Sequence, residues 1–156
     1  MTSSFFTDTQ LEALASALGD TSGGLTGSEI AFLLNASKVA DTDPTATKRI
    51  RLYNAFASDQ NSRQNRRHIL AFIRKSMKPE RHLTNPSRFE SMRLQLNQAL
   101  LFAGLVVDQS GTLDEVFQAR TISEARTRAN DLRADLVTCW TSMVVRRSQS
   151  RWWLRG

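Results

Sequence analysis

The 156-residue sequence contains one cysteine, two histidines and three prolines, and each scarcity removes a class of protein. A lone Cys139 forms no intramolecular disulfide, and its neighbours supply neither the ligands of a zinc site nor the setting that activates a thiol nucleophile. It reads as a reduced thiol in a cytoplasmic protein. No apolar run approaches the roughly 18 residues of a membrane span, and Met1 to Phe6 have neither the basic nor the apolar region of a secretory leader. No membrane partner is expected. A phosphate-binding loop is missing as well, because Gly23 and Gly24 are followed by no Lys-Ser or Lys-Thr pair. Carboxylates are scattered singly. Asp114 and Glu115 are adjacent in a stretch that reads as strand, so they point to opposite faces and form no shared acid/base or metal site. No catalytic residue, metal ligand or cofactor is therefore expected.

What the sequence does have is positive charge in one place. Residues 1–45 carry one lysine against six acidic residues, whereas residues 46–82 carry ten Lys and Arg against Asp59 and Glu80. Residues 83–139 are nearly balanced, with six Arg against seven acidic residues, and the tail from Trp140 adds four Arg. The whole chain is +6. A single-sign block concentrates anions near one face and is a common footprint of nucleic-acid binding, although solvated helix faces produce the same pattern.

The length suits one domain of roughly 100 to 200 residues, and the apolar spacing is mainly helical. Thr7 with Gln10 forms a capping box before Leu11, Leu14, Ala15 and Leu18, and Thr26 with Glu29 forms another before Ile30, Leu33 and Leu34. Asp43 and Pro44 read as a cap and first-turn proline for a third helix running to about Ser58, with Leu52, Tyr53 and Phe56 inward. A polar connector over 59–65 leads to a fourth helix bearing Ile69, Phe72, Ile73 and Met77, ended by Pro79. Asn85 and Pro86 open the fifth and longest, with Phe89, Met92, Leu96, Leu100 and Ala103 along one stripe and Gly104 at its end. Residues 105–107 and 112–117 then read as a small β-hairpin around residues 108–111. Thr121 and Glu124 cap a sixth helix carrying Ala125, Ala129, Leu132 and Leu136. The predicted fold is a mainly α bundle of about six helices, with a helix-turn-helix-like N-terminal part and one hairpin between helices five and six. Residues 7–137 form the module, and residues 138–156 a basic, Trp-containing tail.

Two groups of residues are candidates for contact with nucleic acid. On the third helix, Lys48, Arg51 and Asn54 are expected outward, as two phosphate-reaching cations and an amide suited to a base edge. The 36–42 connection before them is longer than the turn of an ordinary helix-turn-helix. Downstream, Arg63, Arg66, Arg67, His68, Arg74 and Lys75 form a denser cluster, and Arg67, Arg74 and Lys78 recur opposite the apolar stripe, which suits backbone tracking. No aromatic set is interleaved with these cations, so a single-strand stacking platform is not expected. Arg63 and His68 also match the Arg, four residues, His spacing of HEPN ribonucleases, in residue types suited to RNA cleavage.

The runs LTGSEIAFLL (25–34), TKRIRLYNAFASDQN (47–61), ILAFI (69–73), residues 85–89, LNQALLFAGL (96–105) and TISEARTRANDLRADL (121–136) occur in order. In these the chain resembles the N-terminal domain of AbiJ-type abortive-infection proteins, a domain also found before Ymh-type C-terminal domains. The resemblance implies a helical module placed before a HEPN-type effector domain in bacterial antiphage defence, sensing an invader or restraining the effector while the C-terminal domain cleaves RNA. It carries no catalytic residues over to this chain. From Thr138 onward the sequence departs from the family's linker and no effector domain follows, as in a truncated product or a short stand-alone module. The expected function is a non-enzymatic sensor or regulatory module binding DNA or RNA through a basic face. The alternatives are a protein-interaction module that docks on a HEPN-type effector domain, using helices five and six and the Trp-bearing tail, and a ribonuclease using Arg63 and His68.

Overall fold

The computed structural model describes residues 5–132; the expected tail, with Cys139 and the three tryptophans, lies outside the described residues. Its elements follow the capping signals closely. Helix α1 (Asp8–Leu18) opens on the Thr7/Gln10 capping box and α2 (Gly27–Ala36) on the Thr26/Glu29 box, with both reciprocal hydrogen bonds present in each. Each box satisfies two otherwise orphaned N–H groups, which is why these short helices start where they do. Helix α5 (Pro86–Leu100) is capped by the Asn85 side chain and continues as a 3₁₀ turn, Leu101–Ala103, that Gly104 ends at φ 73°. Residues 122–132 form α6, where the Thr121 hydroxyl accepts from the Glu124 N–H at 3.1 Å.

The third helix differs from expectation at both ends. Helix α3 spans Lys48–Arg63 and has no side-chain cap. Asp43 and Pro44 instead build a turn ahead of it, in which the Asp43 carbonyl accepts from the Ala46 N–H and its carboxylate from the Thr45 hydroxyl. Asp followed by Pro starts a β-turn as readily as a helix. At the other end, the polar residues read as a connector continue the helix because the fold pairs them internally. Gln60 is buried and clasps the backbone of Phe6, accepting from its N–H at 2.8 Å and donating to its carbonyl at 2.9 Å. Gln64, at φ 55°, turns the chain into α4 (Arg67–Ser76).

One main core joins α1 to α5, with Phe56 of α3 edge-on to Phe72 of α4 at 5.0 Å between ring centres. Helix α1 packs on both α3 and α5, and α2 packs on α4. Strands β1 (Leu105–Val107) and β2 (Leu113–Glu115) pair antiparallel, with Val106 opposite Asp114. All three β1 residues are buried. Two strands alone are marginal. Here buried Asn97 of α5 acts as a further edge, accepting from the Val107 N–H at 2.8 Å and donating to its carbonyl at 3.0 Å. A smaller cluster of Leu101, Val106, Ala119, Ala125 and Ala129 fixes α6, whose small residues permit close approach. Among the described residues the architecture is thus a mainly α bundle of six helices with a hairpin between the fifth and sixth. Among the described residues no helix is long and apolar enough to cross a membrane.

Candidate nucleic-acid interface

Helix α4 has the clearest division of faces. Ile69, Phe72 and Ile73 are fully buried, and Arg67 and Arg74 are exposed on the other side. Positions 67 and 74 are seven residues apart, so they recur on one side of a helix of 3.6 residues per turn. Lys78, just past the helix end, extends this edge and is also exposed. Among the described residues none of these three side chains has an acidic partner. Arg74 and Lys78 then line a shallow groove of about 510 Å³ against the hairpin loop, whose other walls include Ser110, Gly111, Thr112 and the opposing carboxylate of Glu80. Gly111 lets the loop come this close: its φ is 79°, and a Cβ there would stand 2.2 Å from the Met77 carbonyl oxygen.

The other candidate cations are engaged within the fold, and the outward face expected on the third helix is corrected accordingly. Lys48 turns inward, donating to the Asp20 carbonyl at 2.8 Å and the Leu25 carbonyl at 3.0 Å. Arg51 is only 8% exposed. Its guanidinium pairs with the Asp41 carboxylate and also reaches the Gly27 carbonyl at 3.3 Å. That carboxylate raises the Arg51 pKa above its ordinary value. The acidic N-terminal portion thus neutralises part of the basic block, a pairing that charge counting by segment does not reveal. Asn54 is half-buried on the same helix. Arg66 is buried, its guanidinium 4.9 Å from the Phe6 ring centre, and burial lowers its pKa. Lys75 donates to the Ala36 carbonyl and ties α4 to the end of α2.

Arg63 lies on the last turn of α3 rather than in a connector, and its Nε donates to Asp59 Oδ1 at 3.0 Å. The same oxygen lies 3.3 Å from His68 Nδ1. Asp59 therefore gathers Arg63 and His68 at the junction of α3 and α4, while its own Oδ2 is buried without a partner. The two residues of the ribonuclease-like spacing do come together, through a carboxylate that sequence reasoning missed. The Asp59 to Arg63 spacing of i, i+4 was the available signal.

No protein family, curated protein or solved structure matches this chain.

Elsewhere the charged groups join elements. Glu29 binds Arg88 through both carboxylate oxygens, at 2.7 and 3.2 Å, and Arg88 also donates to the Gly24 carbonyl. The guanidinium holds the Glu29 carboxyl down at about 2, against an ordinary 4.5. Buried Arg93 donates to the Val107 carbonyl and to Glu90. Among the described residues there is no group of three or more His, Cys, Asp or Glu able to hold a metal ion. Of the eight residues expected to touch nucleic acid, Arg67 and Arg74 are the two that the fold leaves exposed and unpaired, and Lys78 joins them.

Proposed function

We propose that this chain is a non-enzymatic sensor or regulatory module of a bacterial abortive-infection system that contacts the sugar-phosphate backbone of a nucleic acid through the outer edge of α4. The observation that carries the nucleic-acid reading is the set Arg67, Arg74 and Lys78, exposed and without acidic partners along the outer edge of α4 and just past its end. Cations of this kind neutralise phosphates without reading sequence. The defence role rests on the ordered sequence runs that resemble the AbiJ-type N-terminal domain. Reversing all three charges, R67E/R74E/K78E, is expected to abolish binding to labelled DNA and RNA at low salt, with the thermal midpoint nearly unchanged because the three side chains are exposed. Unchanged binding would refute the assignment of this edge.

A second reading, docking on a HEPN-type effector domain, is favoured by one observation of its own. Phe117 is 92% exposed and Ile122 65%, and Ile122 lines a groove of about 390 Å³ whose walls are partly apolar, with Ala17, Ala99 and Phe102, and partly polar, with Gln95, Gln98 and Arg126. A carboxylate introduced at Ile122 would block such docking, whereas charge reversal on α4 would leave it intact. Co-purification of each variant with a HEPN-type effector domain separates the two readings.

A further inference from the structure

Phe32 stands off the buried stripe of α2 and is 60% exposed, although Ile30, Leu33 and Leu34 beside it are fully buried. It carries a cation on its face: the Arg81 guanidinium lies 5.4 Å from its ring centre. Arg81 belongs to the 3₁₀ turn Pro79–His82, three residues beyond Lys78 and directly after the α4 edge. The bond from Lys75 to the Ala36 carbonyl holds the ends of α2 and α4 side by side, and Phe32 is one turn before Ala36. An exposed aromatic ring therefore has over its face the guanidinium of Arg81, next along the chain to Lys78, Pro79 and Glu80, which wall the groove that Arg74 also lines.

We infer that Phe32 and Arg81 form a base-stacking element and that the preferred ligand of this surface is a single-stranded nucleic acid. The inference rests on the phosphate-contact reading of α4 and adds a choice between strand states. Aromatic rings and guanidinium planes both stack nucleobases, and stacking tolerates sequence because every base has a π face. In a duplex those faces are already covered, so the element gains nothing there. A single strand places a phosphate at Arg74 and Lys78 while an unstacked base lies on Arg81 or on the open part of the Phe32 ring. The sequence concealed this because ring and guanidinium are brought together from positions 49 residues apart.

The test uses the full chain and three labelled probes of one length within the roughly 4 to 16 nucleotide range of single-strand sites: an intact strand, the same strand with abasic positions, and a blunt duplex. Fluorescence anisotropy at low salt is expected to rank the intact strand about tenfold tighter than the other two, within the range of a single stacking contact. Phe32→Ala removes that advantage and leaves the salt dependence unchanged; Phe32→Trp, which keeps a stacking face, retains it. Equal affinity for all three probes, or an unaltered Phe32→Ala, overturns the stacking element while the α4 phosphate contact stands. Absence of binding to every probe overturns both.

Discussion

Replacing Arg51 by methionine separates the structural role found here from the nucleic-acid role that its position in a basic run suggests. The substitution keeps most of the aliphatic stem but removes the guanidinium of a side chain that is 10% exposed, paired to the carboxylate of an Asp41 side chain that is 26% exposed. Asp41 then loses its partner, and the Gly27 carbonyl loses a donor. Breaking a fully buried pair costs about 3–5 kcal/mol, whereas a surface pair is worth about 0–1 kcal/mol. Asp41 can recover part of its hydration through its exposed quarter, so the expected loss is about 2–3 kcal/mol, between those limits. For a chain of this size that is a fall in melting temperature of roughly 5–10 °C. Urea denaturation followed by circular dichroism measures it, with Arg74→Met as the control, expected within about 0.5 kcal/mol of the parent. Arg51→Met should leave the salt dependence of nucleic-acid binding unchanged. A stability loss under about 0.5 kcal/mol, accompanied by weakened binding, would refute the reasoning and return Arg51 to the interface.

Three further outcomes follow from contacts in the fold. Asn97→Ala leaves the buried N–H of Val107 without an acceptor, while the Val107 carbonyl keeps only its bond from Arg93, and should cost about 1–3 kcal/mol in urea unfolding, the cost of one unmet buried group. Gly111→Ala forces a side chain to φ 79° and against the Met77 carbonyl; a loss of about 2 kcal/mol or more is expected, and a neutral result would show that the loop does not pack on α4 as described. The Glu29 carboxyl has a folded pKa of about 2 against an ordinary 4.5, so its stabilisation is complete above 4.5 and is lost as pH falls towards 2. Glu29→Gln should flatten that part of the acid denaturation curve and lower stability at neutral pH by about 1 kcal/mol, since solvent screens a partly exposed pair.

Much of the fold was legible because the signals were local. The capping boxes at Thr7 and Thr26, the Asn85 cap and Gly104 each act within one turn, and all are found where the spacing places them. Asp43 and Pro44 misled because the same pair serves a turn, and α3 begins four residues later with no side-chain cap to mark it. The interface was legible in part. Heptad-like spacing correctly separates Arg67 and Arg74 from the core, since an amphipathic helix declares its outer face. The fate of Lys48, Arg51, Arg66 and Lys75 was not legible, because each is decided by a partner distant in sequence: the Asp20 and Leu25 carbonyls, Asp41, Phe6 and the Ala36 carbonyl respectively. Arg51 and Asp41 are ten residues apart across a turn, a spacing with no periodic signature. Counting charges by segment treats all cations as available, and the fold shows that most have structural employment.

The most direct test of the α4 interface is the slope of log binding constant against log salt concentration for the unmodified chain. Three available cations predict a slope of roughly −2 on a single strand and no steeper than about −3 on a duplex. A slope near −7, which corresponds to roughly eight neutralised phosphates on a duplex, would mean that the cations described here as internally engaged are instead free to bind. A slope indistinguishable from zero would remove phosphate contact from the account altogether.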